Sequence, residues 1–484
     1  MKAYITTVGT TPEAVFNPLW YLAEGHSWIP DEVYLLWNDG VKDKLEAVKK
    51  LVRRLAEAYN REIDVIADEG LRFTEKNPVE FRKKAGELVR ELVSDGYKVI
   101  VDITPGRKFM SSLLLGAAIA GKASEITYLH LDDLSYVGRL LFEIPMAKQR
   151  LFRKNELTGS EGEAKLGKRT KETSAKSLMV SREDIMVLLD SLYMDGETNF
   201  PVKVDNRVIG TISLGENAEL RVSTSIDLNK TLHGGSTMVK EAIIAGGIVH
   251  FSNWNDLISL IKRLKGDGRP LYIGFDTNAL YFRVPSKLLN ENGLYLDKNL
   301  IFDFVYSDEV TIEVGNHLNG KLPYDNNLGI YSNQPTPKAR LASIGRVELE
   351  KIRRRGAERA RSRETFHGDT KIALDYKAFA EEKDANVLVI TLDERAYGEM
   401  KAISGSGLTP FKLGWNFSFG STLKGSWENL RDTIYTLSVI LGKITTSKYR
   451  IYGIWHGKTS GDWEKELVRI SNFEYPRLFK VLGG

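Results

Sequence analysis

The chain has 484 residues, of which 42% are hydrophobic and 27% charged, the balance of a globular protein rather than a disordered one. No run of eighteen apolar residues is present, which excludes a membrane-spanning helix, and the absence of cysteine excludes disulfides, thiol nucleophiles and Cys-based zinc sites. With 68 basic against 64 acidic residues the net charge is only +4, so local clusters must decide whether nucleic acid is a partner. Length suggests about three domains. The opening residues read directly as a strand with no signal region, so a cytoplasmic protein is expected.

Residues 1–146 repeat one unit. Lys2 to Gly9 is β-branched, Pro12 to Ala23 has helical spacing, and Asp31 to Trp37 is a second strand. Lys42 to Tyr59 carries Leu45, Val48, Leu51, Val52 and Leu55 as one apolar stripe. Glu62 to Ile66, Pro78 to Val93, the apolar run Tyr97 to Thr104 and the small-residue helix Arg107 to Gly121 continue the alternation. Ile126 to Leu131 and Arg139 to Ile144 read as two more strands. Such units build a doubly wound parallel sheet, whose ligands sit beyond the carboxyl ends of the strands.

Two loops have the chemistry for that place. Val8-Gly9-Thr10-Thr11-Pro12-Glu13 follows the first strand, and Asp102-Ile103-Thr104-Pro105-Gly106-Arg107-Lys108 follows the fourth. The second joins a hydroxyl, a glycine and two cations at a helix start, which suits an anion such as phosphate. A plain strand-to-helix turn with a solvated Arg-Lys pair explains it equally well. Neither loop is a G-x-G-x-x-G or Walker motif. Together they resemble the CRISPR-associated Rossmann-fold (CARF) sensor domain, over roughly the first 146 residues. The resemblance implies a homodimer that binds a cyclic oligoadenylate, with Thr10, Thr11, Thr104, Gly106, Arg107 and Lys108 at the motif positions.

Residues 147–268 are expected to form a linker and a small mixed α/β connecting domain. Leu157 to Lys176 reads as a flexible linker. Ser181 to Asp184 reads as a capping box before Ile185, Val202 to Val222 alternates like short strands, and Met238 to Ala245 and Asn255 to Lys265 look helical. His233-Gly234-Gly235 and His250 have no partner at metal-ligand spacing and read as structural.

From residue 269 onward, acidic residues fall at strand ends and helix starts. The strand Arg269 to Phe275 ends at Asp276, and the buried strand Asn386 to Leu392 ends at Asp393. Glu313 and Asp369 lie near helix starts. Any one of these is more often a cap than a ligand, but converging unpaired carboxylates raise one another's pKa, and Mg²⁺ or Mn²⁺ removes that penalty. Two such ions can clamp the attacking and leaving oxygens of a phosphodiester. The order resembles the PIN nuclease domain, over roughly residues 269–404. That resemblance implies metal-dependent cleavage of single-stranded RNA, or less readily DNA. Asp276, Glu313, Asp369 and Asp393 are its four acids, and Asn278 and Thr391 support the metal shell. Asp308 and Glu309 compete with Glu313 for the second place. Residues 405–484 are expected to pack on this domain as an extension.

From Lys338 to Arg363 ten Lys or Arg stand against three Glu, a possible RNA track on a helix or a solvated helix paired with its own glutamates. Trp415, Phe417, Phe419 and Trp427 read as stacking groups or, more simply, as core. Rival chemistries stay open. Arg361 and His367 resemble the metal-independent HEPN ribonuclease signature, and Asp393 with Glu399-Met400-Lys401 resembles a restriction-type D…ExK core. A non-catalytic cyclic-nucleotide sensor is the remaining alternative. The combined reading is a multidomain α/β protein for antiviral defence, with a CARF-like sensor (1–146), a connecting domain (147–268) and a PIN-like nuclease domain with its extension (269–484).

Overall fold

A computed structural model describes the chain apart from residues 160–163, 165, 170–171, 174–176, 225–234, 291–301, 326, 329–332, 406 and 478–484. It divides into two units. The first holds residues 1–175, 186–198 and 472–484, and the second residues 176–185 and 199–471. Among the described residues no helix is long and apolar enough to cross a membrane.

The first unit is built on a six-stranded sheet. Its elements are β1 (Lys2–Thr7), α1 (Pro12–His26), β2 (Glu32–Leu36), α2 (Leu45–Ala58), β3 (Asp64–Ile66), α3 (Pro78–Ser94), β4 (Lys98–Asp102), α4 (Lys108–Ala120), β5 (Glu125–Leu131) and β6 (Gln149–Arg153). Strand order is β3-β2-β1-β4-β5-β6. The first five strands are parallel and β6 runs antiparallel to β5. Helix α1 packs on α2 and α3 on α4, the pairing expected when crossovers of one hand lead away from β1 in both directions. Val99, Ile100 and Val101 of β4 are wholly buried, which is why that strand reads as a continuous apolar run.

The sixth strand is not where the apolar pattern puts it. Residues 139–144 form an irregular segment with one short turn of 3-10 helix at Leu141–Glu143, and the strand lies at Gln149–Arg153. Polar Gln149, Arg150 and Arg153 hide it in the sequence. The Gln149 amide is buried and donates to the carbonyls of Leu141 and Ile144, so that segment is pinned by a side chain rather than by a ladder. The stretch Leu157–Lys176 lies partly outside the described residues. Its described part is held down: Arg169 pairs with Asp195 at 2.7 Å and donates to the Ser191 carbonyl. The described part is thus tied to the fold at Arg169.

The second unit contains two sheets. One has eight strands in the order 422–425, 218–222, 207–214, 199–204, 443–446, 449–452, 468–471 and 178–180. Its pairings are antiparallel. Strands from the expected connecting domain therefore alternate in space with strands from the expected C-terminal extension, and no boundary falls at residue 268. Register is fixed by alternation: Phe200, Val202 and Val204 are buried on one face while Asn199 is exposed. The other sheet is parallel, with order 358–360, 303–307, 271–275, 386–391, 408–412. Numbered along the chain, this order is 3-2-1-4-5.

The two sheets of this unit share a buried charge network. Arg283 and Arg182 face Asp432 and Glu466, with Arg283 Nη1 3.1 Å and Arg182 Nη1 2.6 Å from Asp432. Both guanidiniums are buried, and mutual pairing is what makes their burial tolerable.

Candidate functional sites

In a 3-2-1-4-5 sheet the crossovers diverge between strands 1 and 4, and a crevice opens beyond their carboxyl ends. The parallel strands of both units have that switch point, flanked in the first by the Gly9 and Gly106 loops and in the second by Asp276 and Asp393.

In the first unit the loops after β1 and β4 touch. A Cβ on Gly9 would lie 3.2 Å from the Gly106 nitrogen, and one on Gly106, where φ is 96°, would lie 2.8 Å from the Thr7 hydroxyl. Glycine is required at 106 on both counts. The Thr7 hydroxyl donates to the Pro105 carbonyl at 2.8 Å and ties the β4 loop to β1. Neither Thr11 nor Arg107, the residues at the N-caps of α1 and α4, supplies a side-chain cap, so the first-turn N–H groups lack side-chain acceptors there. Thr10, Gly106, Arg107 and Lys108 are exposed and Thr11 is half-buried. Arg107 pairs with Glu75 at 3.1 Å. Thr104 is engaged inside the loop: its hydroxyl donates to Asp102 at 2.8 Å and accepts from the Leu129 amide at 2.8 Å. Its place is as a pin beneath the surface residues. Asp102, which opens the motif but is given no role there, is the hub, accepting also from Thr127 and Thr6. Burial pushes its carboxyl up to about 7 although four donors face it, because none is a cation.

In the second unit Asp276 follows the first strand and Asp393 the fourth. Asp369 opens the Gly368–Lys383 helix, and Glu313 sits on the Asp308–Leu318 helix after the second strand. Asp276 is buried and its partners are neutral: the Ala279 amide at 2.6 Å and the Thr391 hydroxyl at 2.5 Å. Thr391 in turn accepts from the Asp393 amide at 3.0 Å, so one hydroxyl joins the ends of the two central strands. Burial raises Asp276 to about 7, and the charges of Asp369 and Asp393 add to the rise. Burial also raises Glu313 and Asp369. Asp369 adds to the first, and Glu399 and Asp393 add to the second. The four acids thus share one electrostatic field. Among the described residues no three His, Asp or Glu side chains stand in ligand positions around a single point. Charge converges here, and ligand atoms do not. The donor set is wholly oxygen and Asp276 has no cationic partner, which is the chemistry a hard divalent ion requires.

The three acids that compete for the second place differ in their partners. Asp308 is bound by Arg359, and Glu309 accepts from the Gly368 amide at 2.9 Å. Glu313 accepts from Thr277 at 2.5 Å and feels Asp369. Thr277 joins the cluster without having been given a role, and Glu399, named only for the restriction-type core, acts on Asp369, whereas Asn278 makes no side-chain hydrogen bond among the described residues. Tyr376 sets the spacing. Gly274 has no side chain, and a Cβ there would lie 2.6 Å from the Tyr376 ring. In that space the Tyr376 hydroxyl donates to the Phe275 carbonyl at 2.7 Å and accepts from the Phe275 and Ser307 amides. The helix that carries Asp369 is so clamped across strands 1 and 2, two turns from its own acid.

Among the remaining candidates, the single cation-rich helix alone is corrected. The cation-rich stretch is not one helix: the Pro337–Arg354 helix ends before a short strand, Glu358–Ala360. Most of its cations are paired within the fold, Arg340 with Asp325, Arg353 with Glu350 and Arg354 with Glu464. Arg361 and His367 lie on the exposed connection from that strand to the next helix of a parallel sheet, not in an all-helical fold. Glu399 and Lys401 lie on the Glu394–Ile403 helix rather than a strand, which removes the restriction-type core. Trp427 is core, its indole N–H donating to the Gly215 carbonyl at 2.9 Å. His233 and Gly234 lie outside the described residues, and His250 contacts only the Lys424 carbonyl in the hydrogen bonds observed.

No family model and no curated protein matches this chain. Solved structures that align with it include Can2 from Sulfobacillus thermosulfidooxidans in complex with cyclic tetra-adenylate, at 13% identity and a TM-score of 0.23, over 56% of this chain and 52% of that one. A type III CRISPR defence DNA nuclease activated by cyclic oligoadenylate aligns at 10% identity and 0.23, over 85% and 65%. A putative UDP-N-acetylglucosamine 2-epimerase from Listeria monocytogenes aligns at 11% and 0.19, over 99% and 94%. The chain thus spans about half of the first and two thirds of the second. At these scores, with an epimerase beside two CRISPR proteins, the alignments carry no argument about this chain.

Proposed function

We propose that the chain is a CRISPR-associated effector in which the N-terminal sheet senses a cyclic oligoadenylate and the five-stranded parallel sheet cleaves single-stranded RNA with Mg²⁺ or Mn²⁺, the active species being a homodimer. The observation that carries the nuclease half is Asp276: a buried carboxyl with neutral partners only, at a switch point, in the field of Asp369 and Asp393. A protein gains no stability from gathering unpaired acids, and such a cluster is the usual mark of a functional site. Asp276, Glu313, Asp369 and Asp393 supply the negative field that would draw the metal in, and their side chains would have to turn inward to ligate it, since among the described residues no three stand in ligand positions around one point. A bound divalent ion would supply an activated water and stabilise charge on the phosphodiester oxygens. The chain's own part is positional: Thr391 fixes Asp276 against Asp393, Thr277 fixes Glu313, and Tyr376 fixes the helix of Asp369. In the first unit, the uncapped amides beside Gly106 with Arg107 and Lys108 would receive phosphate groups of the ligand.

The test is ligand-stimulated cleavage of a labelled single-stranded RNA, with and without EDTA. The Asp276→Asn, Asp393→Asn double variant should lose cleavage while keeping its circular dichroism. Retained cleavage there, or in EDTA, refutes the metal centre. Calorimetric titration with cyclic tetra-adenylate should show weaker binding by Arg107→Ala and Lys108→Ala, and unchanged affinity refutes the sensor loop. If the ligand binds and no RNA or DNA is cut, the protein is a sensor without nuclease activity.

A further inference from the structure

The second unit holds a cavity of about 520 Å³, within the range of about 300–1,000 Å³ that small-molecule pockets occupy. Its wall comes from the end of the Asp308–Leu318 helix, the middle of the Pro337–Arg354 helix and the 454–464 segment. Two features define its chemistry. Trp455 and Trp463 both line it, half-buried, and the Lys458 ammonium lies over both rings, 4.6 and 3.9 Å from their centroids, while donating to the Gly453 and Leu467 carbonyls. That anchorage holds the two indoles at one place, and the Arg469 guanidinium also lies over the Trp455 ring, 5.2 Å from its centroid. The charge on the wall is unbalanced. Its acids, Glu350 and Glu464, are neutralised by Arg353 and Arg354, whereas Lys321 and Arg346 have exposed side chains with no ion-pair partner among the described residues. An aromatic platform beside unpaired cations suits a planar ring that carries a negative group.

From this we infer that the cavity is a binding subsite for one nucleotide of a single-stranded RNA, its base against Trp455 or Trp463 and its phosphate on Lys321 and Arg346. The inference rests on the nuclease reading for its choice of ligand. Position supports that choice. Leu318 of the wall is five residues from Glu313 on one helix, about 8 Å along its axis. Arg346 is eight residues, about 12 Å, from Lys338, whose charge acts on Glu313.

The experiment uses the full chain with Asp276→Asn, in EDTA, so that a metal-dependent activity does not consume the substrate. Tryptophan fluorescence is titrated with hexa-adenylate RNA and, separately, with AMP. Hexa-adenylate should quench, and Trp463→Ala should weaken its binding about tenfold, the usual effect of removing one stacking partner. Trp463→Phe should keep most of the affinity. Arg346→Glu, an exposed change that leaves the core untouched, should weaken binding several-fold and lower the salt dependence by about one charge. Unchanged affinity in Trp463→Ala and Arg346→Glu overturns the subsite. AMP binding as tightly as the hexamer overturns the assignment to a strand and marks the cavity as a mononucleotide site. If the wild type cuts no RNA but these affinities shift as stated, the subsite stands and the nuclease reading falls.

Discussion

Asp102 offers a direct test of the electrostatics of the N-terminal switch point. Its carboxyl is fully buried, accepts from Thr6, Thr104 and Thr127, and has no cationic partner. Burial raises it from the ordinary 3.8 to about 7. The folded state therefore holds a proton that the unfolded state releases between those two values. Its stabilising effect is fully present below pH 4 and is lost as pH rises through about 7. At about 1.4 kcal/mol per pH unit, the loss is about 4 kcal/mol. Asp102→Asn removes this component, because an amide does not titrate. The assay is hydrogen exchange by mass spectrometry on peptides from β1 and β4 at fixed urea, from pH 4.5 to 8.5, corrected for intrinsic exchange. The difference between wild type and variant should change by about 3–4 kcal/mol over that range, in favour of the variant as pH rises. Parallel profiles would refute the reasoning, and so would a wild type that gains stability relative to the variant on alkalinisation.

In the second unit the sign reverses. Arg182, Arg283 and Lys351 hold Glu466 down at about 2, so its contribution is present above its ordinary 4.5 and lost as pH falls through 2. Glu466→Gln should cost about 3 kcal/mol at pH 7 in urea unfolding, with the gap closing near pH 2. Gly106→Ala combines a φ of 96° with a contact of 2.8 Å to a hydroxyl already bonded to Pro105, and should destabilise the first unit by about 1–3 kcal/mol in the same exchange assay. Tyr376→Phe removes one buried hydroxyl that serves three backbone groups. A loss of about 1–3 kcal/mol is expected, and on the proposed nuclease reading RNA cleavage falls further than stability predicts, because the helix of Asp369 is released from strands 1 and 2.

Much of the parallel architecture is legible locally. Buried strands such as Val99–Val101 and Val387–Ile390 are continuous apolar runs, and helices between them carry 3.6-residue stripes. The acids at the ends of such strands, Asp276 and Asp393, are legible for the same reason, since the run stops where the carboxyl begins. Long-range pairing is not legible. Val202 meets Thr446 across 244 residues in one antiparallel register, and nothing near either residue announces the other. That pairing replaced an expected boundary with a continuous sheet. Local pattern also misplaced the sixth strand, because the buried polar Gln149 belongs to the ladder and the apolar run before it does not.

Which residue types lie at which strand ends follows from local pattern, because hydrophobic period and turn chemistry act over a few neighbours. Which of them share a field follows from packing over long range. Desolvation and Coulomb interaction depend on distance in space, and it is packing, through Tyr376 against Gly274 and Thr391 against Asp276, that sets those distances.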